Sequence, residues 1–194
     1  MKPRYYTIEQ MIAMIDEPNR SATARLLADH RKLFQTVQGS TNNHQPWPGG
    51  YYDHVQEIMN VTIVLYDRLN SIRPLPFTVS DAILIVFLHD IEKPWKYELG
   101  ADGQLEVIDS LTSKEAQHEF RSRKLKEYGI VITPDQDNAM KYVEEELKDY
   151  SSRRRIMEPL AALCHLADVT SARIWFDHPS QSADPWTGAR RIRD

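Results

Sequence analysis

Apolar residues recur along most of this chain at helical spacing. Ile8, Met11, Ile12 and Ile15 follow Thr7, a residue type that caps helix N-termini, so a short helix is expected there. Pro18 and Asn19 break it, and a second helix is expected from about Ser21 to Val37. Gly39 to Gly50 is rich in turn formers and reads as loop. Val55, Ile58, Met59, Thr62, Leu65 and Tyr66 then predict a long helix from about Tyr51 to Leu69. Pro74 and Pro76 mark a connection. Thr78 or Ser80 caps the next helix, with Asp81 in its first turn. Ala82 to Leu88 is nearly all apolar, and its β-branched content would also suit a strand. The cap and the exit at Pro94 favour a buried helix.

The texture changes between 96 and 108. Two short alternating runs flank Gly100-Ala101-Asp102-Gly103, which predicts a small β-hairpin insertion. Helices are expected again from about Ser113 to Tyr128, from Pro134 to Lys148, and from Ile156 to about Trp175. Past Pro179 there is little apolar periodicity, so 179–194 reads as a surface tail. The pattern is that of an all-α protein, and 194 residues suit a single domain over 1–194.

Hydrophobic residues make up 41% of the chain, enough to bury a core. The net charge of -4 gives no global basic field, which makes nucleic acid the less favoured partner. Basic residues cluster locally at Arg121, Arg123, Lys124 and Lys126 and at Arg153 to Arg155. Such runs suit a solvated helix face, with a nucleotide phosphate as the alternative partner. The single cysteine, Cys164, lies among apolar residues and cannot form an internal disulfide, which fits a cytoplasmic protein. Ala82 to Leu88 is too short to span a bilayer, so no membrane association is expected. No apolar run follows a basic start, so no signal peptide is expected either.

Four groups stand out as candidate chemistry: His54, His89, Asp90 and Asp168. Imidazole and carboxylate together suit a borderline or hard divalent ion, and bundles build such sites from facing helices. Adjacent helical residues point roughly 100° apart, but at a helix end His89 and Asp90 can turn toward one ion. A charged dyad directly after a buried apolar run is costly unless it is satisfied. Alone, the dipeptide equally suits a pair hydrogen-bonded to water.

The wider context is more specific. Gly49-Gly50-Tyr51-Tyr52-Asp53-His54, then Leu88-His89-Asp90-Ile91-Glu92-Lys93, then Cys164-His165-Leu166-Ala167-Asp168 with Ala172-Arg173, resembles the HD superfamily of metal-dependent phosphohydrolases. The likeness covers a core of about 44–176 and implies an HD-domain helical bundle. Glu92 stands where that family usually has glycine. The resemblance implies His54, His89, Asp90 and Asp168 as metal ligands for a divalent ion (Mn, Mg, Co, Fe, Ni or Zn). It implies a catalytic role for Lys93, which as a point charge can hold a phosphate; a helix-end lysine is its plainer reading. His118 falls where two-metal members carry a further histidine. The next is expected near Glu144-Glu145-Glu146, where Glu145 could act as ligand or general base, so one ion is favoured over two. His165 shares a face with Asp168 and reads as a supporting or merely packed histidine. His30 and His178 read as surface.

On the substrate side, His44, Gln45 and Trp47 precede the first ligand, and Trp47 could stack on a base or plug the core edge. Lys96, Trp95 and Arg173 flank the motifs and could hold phosphates, and Arg121, three residues past His118 on the same helix face, is a better phosphate candidate than Arg123. The resemblance implies a phosphohydrolase acting on a small-molecule nucleotide or deoxynucleotide, by a metal-activated water. A 3′–5′ exonuclease or phosphodiesterase on nucleic acid, and a non-catalytic regulatory domain, are the alternatives. A homo-oligomer stays open.

Overall fold

The computed structural model describes residues 3–41, 43–99, 105–146, 149–181 and 183–192. Helix α1 is Ile8–Ile12, with Thr7 and Gln10 forming a reciprocal capping box. Helix α2 is Asn19–Phe34, α3 is Gly50–Ile72 and α4 is Val79–Leu88. A short turn of helix, α5, spans Lys93–Lys96. Strands β1 (Tyr97–Leu99) and β2 (Leu105–Val107) pair antiparallel, Glu98 opposite Glu106. The expected turn at Gly100 to Gly103 lies outside the described residues. Helices α6 (Lys114–Tyr128), α7 (Pro134–Tyr142) and α8 (Pro159–Val169) follow. The fold is mostly helical with almost no strand, as the apolar spacing requires.

The centre is α4. Thr78, not Ser80, caps it, and Asp81 returns a bond to the Thr78 N–H. Every residue from Ala82 to Leu88 is buried, because α3, α7 and α8 pack around it. This is why its sequence is apolar all round rather than on one stripe. The core also takes Ile8, Met11, Ile15, Leu26 and Phe34, so it reaches well before residue 44. Asn60, buried in α3, holds the chain entering α1 by bonds to both backbone groups of Tyr6, at 2.7 and 2.9 Å.

Two expectations need correction. Helix α7 ends at Tyr142 rather than running on to Lys148. The Val143 carbonyl receives His165 Nδ1 at 2.8 Å, and Glu146 turns to accept the Met157 N–H at 2.9 Å. Helix α8 starts at Pro159 rather than Ile156, because the residue before a proline is pushed to extended backbone, as Glu158 is. The expected surface tail is exposed or half-buried over most of its described residues, and it is held to the body. Trp186 packs edge-on against Tyr5 at 5.1 Å, Ala189 is buried, and the Ile192 N–H bonds Asp53 Oδ1 at 3.0 Å. Among the described residues no helix is long and apolar enough to cross a membrane.

The packing of α4 predicts a sharp contrast. Ile83→Ala, at a fully buried position, should cost about 2–5 kcal/mol in urea unfolding. Ile72→Ala, 81% exposed at the end of α3, should stay within about 0.5 kcal/mol of the wild type.

Candidate metal centre

Helices α3, α4 and α8 pack on one another in all three pairings, and each brings a polar group to their meeting point. His54 lies early in α3, whose start is shaped by two glycines. Gly49 caps the helix with φ of 77°. A Cβ on Gly50 would lie 1.9 Å from the Gln45 carbonyl oxygen, so only glycine lets the preceding loop press against the helix start. That contact sets the His44 ring beside His54, centroids 4.6 Å apart.

His89 terminates α4, and Asp90 stands in the turn beyond it. His89 Nδ1 lies 2.8 Å from the Val86 carbonyl, which can only accept. Arg121 of α6 donates to the His89 carbonyl at 2.6 Å and lies 3.6 Å from buried Glu92. Asp168 is the second-last residue of α8. The chain continues as one π-helical turn, Thr170–Ile174, closed by the Trp175 N–H on the Thr170 carbonyl at 3.0 Å. This turn packs on α3 and buries Ser171, whose Oγ is 3.0 Å from His54 Nδ1.

The two imidazoles converge. His54 Nε2 is 3.3 Å and His89 Nε2 3.6 Å from the same oxygen, Asp168 Oδ1. Asp90 Oδ2 is 3.0 Å from His89 Nε2 and 2.6 Å from Lys93 Nζ. Despite these approaches, both buried Nε2 atoms make no hydrogen bond.

Charge follows from the burial. Burial lowers the pKa of His54. The same penalty acts on His89, but Asp90 and Asp168 outweigh it and lift it to about 10. Burial favours the neutral form of Asp168, yet the two histidines hold it below the usual carboxylate range. Asp90 is held well below that range against its burial, by His89 and Lys93. His44 is pushed down to about 3 by burial and by the neighbouring charges of His54 and Lys93.

A divalent ion fits this donor set. Metal-bound histidines commonly have one nitrogen fixed by an acceptor while the other carries the lone pair. His54 and His89 both have Nδ1 engaged and Nε2 orphaned. The chosen donor atoms of His54, His89 and Asp168 all lie within 4.8 Å of one another. Separations of 3.3 and 3.6 Å are those of donors each about 2.1 Å from a shared ion. Asp90 adjoins this trio.

The other expected residues fall as follows. Lys93 borders the cluster through Asp90, and His44 borders it through His54. Gln45 is fully buried, so it does not face a substrate. Its amide nitrogen lies 2.9 Å from the His178 carbonyl and 3.2 Å from that of Trp175. Trp47 is half-buried, donates to Asp53 at 2.8 Å and lies under Arg191, so it is a structural plug. Arg121 is half-buried and donates through one guanidinium nitrogen to the His89 carbonyl. Lys96 is half-buried, near the Tyr97 ring. Arg173 is exposed at the π turn. The structure does not bring His118 or Glu145 into the cluster. His118 is exposed on α6, whose buried face carries Gln117 and Phe120. Glu145 is exposed because α7 has already ended. His165 is a packed histidine on the Val143 carbonyl.

Two further residues at the site belong to no motif in the sequence. Ser171 reaches His54 only because of the π turn. Glu57, one turn after His54, is 3% exposed and accepts from Gln45 at 3.3 Å and from Ser171 at 3.4 Å. The spacing from His54 was the one clue that Glu57 could lie beneath it. No family model, curated protein or solved structure matches this chain.

Burial, with the charges of Asp184 and Asp53, pushes Glu57 up to about 8. The folded protein therefore holds this proton more tightly than the unfolded chain. The stabilisation is complete below the ordinary value of 4.5 and is lost as pH rises through 8. Glu57→Gln cannot ionise. Its stability relative to wild type should be near zero at pH 5 and positive by a few kcal/mol at pH 8.5, in urea unfolding with a chelator present. A difference that does not grow with pH would contradict this.

Proposed function

We propose that this protein is a metal-dependent phosphohydrolase acting on a nucleotide or deoxynucleotide, with His54, His89, Asp90 and Asp168 holding the ion. One observation supports it above the others. Two buried imidazole nitrogens without hydrogen bonds converge on one carboxylate oxygen, each ring anchored from behind. The order His, His-Asp, Asp resembles that of the HD superfamily, which supports the same chemistry.

A bound divalent ion would polarise a phosphoryl oxygen and acidify a water. The protein's own groups do the rest. Asp90 and Asp168 stay ionised and supply the negative charge that holds a cation. Lys93 keeps its proton, because Asp90 offsets the burial that would remove it, so its ammonium can meet a phosphate oxygen. His44, neutral at pH 7, can accept a proton or hydrogen bond at the rim through Nε2, since Nδ1 faces Gln45 Oε1 at 2.9 Å.

Assays with Mn²⁺, Mg²⁺ or Co²⁺ against nucleoside mono-, di- and triphosphates and a labelled oligonucleotide test this. Release of phosphate or pyrophosphate from a nucleotide is expected. Shortening of the oligonucleotide alone would replace the small substrate by nucleic acid. Asp168→Asn should lose the metal while remaining folded. Lys93→Met should keep the metal and lower kcat/KM by about 10²-fold. No turnover with any metal, and equal metal content in wild type and Asp168→Asn, would overturn the proposal.

A further inference from the structure

Behind the candidate centre lies a buried polar chain. Glu57, Ser171 and Gln45 are 3%, 0% and 0% exposed. They come from α3, the π turn and the loop before α3, so the fold alone joins them. Buried polar groups in such numbers are costly unless each is satisfied, and a fully satisfied network fixes a unique arrangement.

The direction of each bond follows from what its partners can do. The Gln45 amide nitrogen faces two main-chain carbonyls, Trp175 and His178, which only accept, so its orientation is set. The same nitrogen lies 3.3 Å from Glu57 Oε2 and 3.4 Å from Ser171 Oγ, so its two hydrogens are shared among four acceptors, the His178 carbonyl the nearest. Among the described residues, the polar groups at Ser171 Oγ are the His54 ring nitrogen at 3.0 Å, Glu57 Oε2 at 3.4 Å as an acceptor, and the Gln45 amide nitrogen at 3.4 Å. Its hydroxyl hydrogen goes to Glu57. Its lone pairs face His54 Nδ1, which must then carry a hydrogen. The consequence appears at the far side of the ring, where Nε2 is buried and makes no hydrogen bond although Asp168 is 3.3 Å away.

We infer that Ser171, backed by Glu57, is a positioning residue that fixes His54 in its Nδ1–H tautomer and so presents the Nε2 lone pair to a divalent cation. The inference rests on the metal reading above and adds the part of the molecule that prepares the first ligand. It also explains the π turn, since that turn delivers the hydroxyl to the back of His54.

The test uses the whole chain and two readouts. Long-range ¹H–¹⁵N spectra of the imidazoles, recorded with a chelator, report the tautomer without any metal. Calorimetric titration with Mn²⁺ reports affinity. The wild type should show His54 as Nδ1–H. Ser171→Ala should shift it toward Nε2–H and weaken Mn²⁺ binding about 10- to 100-fold. Glu57→Gln keeps an oxygen acceptor for Ser171, so tautomer and affinity should stay close to wild type. Glu57→Leu removes that acceptor and should fall between, which covers the case in which Ser171→Ala fails to fold. Unchanged tautomer and affinity in Ser171→Ala or Glu57→Leu, with a wild type that binds Mn²⁺, would overturn this inference alone. A wild type that binds neither Mn²⁺ nor Co²⁺ would overturn the metal reading and the cation's part here together, whatever the tautomer.

Discussion

Two imidazole nitrogens and a carboxylate oxygen meet between three helices, the histidines buried and Asp168 partly open to solvent, and the surrounding frame holds them there. Lone pairs left unpaired in such a place cost free energy, as does a buried carboxylate. His54, His89 and Asp168 share one space between three helices. Either a proton or a cation can occupy it. Without a cation, the carboxylates hold the His89 ring charged. With one, the ring must be neutral and offer its lone pair. Under the proposed function, the cluster is a place where a cation would compete with that proton.

The frame serves this point. Helix α4 is apolar on every side, so it has one place in the bundle, and His89 caps its C-terminus. Arg121 grips the His89 carbonyl, and the Val86 carbonyl meets the ring, so the helix end cannot unwind without losing both. On the other side, Gly50 allows the loop to lie against α3, which places Gln45 and His44 behind and beside His54. The tail closes the arrangement through Asp53 and Ile192.

Much of this was legible in the sequence. The helical periodicity of α1 to α4 and of α6, the apolar run of α4 and its charged end all follow from residue order. His54, His89 and Asp168 converge from three helices, as expected of a bundle site. Other features depend on contacts that span the chain. The end of α7 depends on His165 taking the Val143 carbonyl, and the packing of the tail depends on Tyr5 and Asp53. Arg121, a phosphate candidate from its place near the motifs, holds the His89 backbone carbonyl. Gln45, placed beside the motif, turned out to be buried support. Ser171 was invisible, because a single π turn changes which side chain faces inward, and no periodicity rule anticipates it.

The central claim is that the space between these three helices is a cation site. Diffraction from crystals grown with Mn²⁺, with data collected on either side of the Mn absorption edge, tests it most directly. The account predicts an anomalous peak bonded to His54 Nε2, His89 Nε2 and a carboxylate oxygen of Asp168. A map with no peak there, and with Asp168 hydrogen-bonded directly to either histidine, would contradict it.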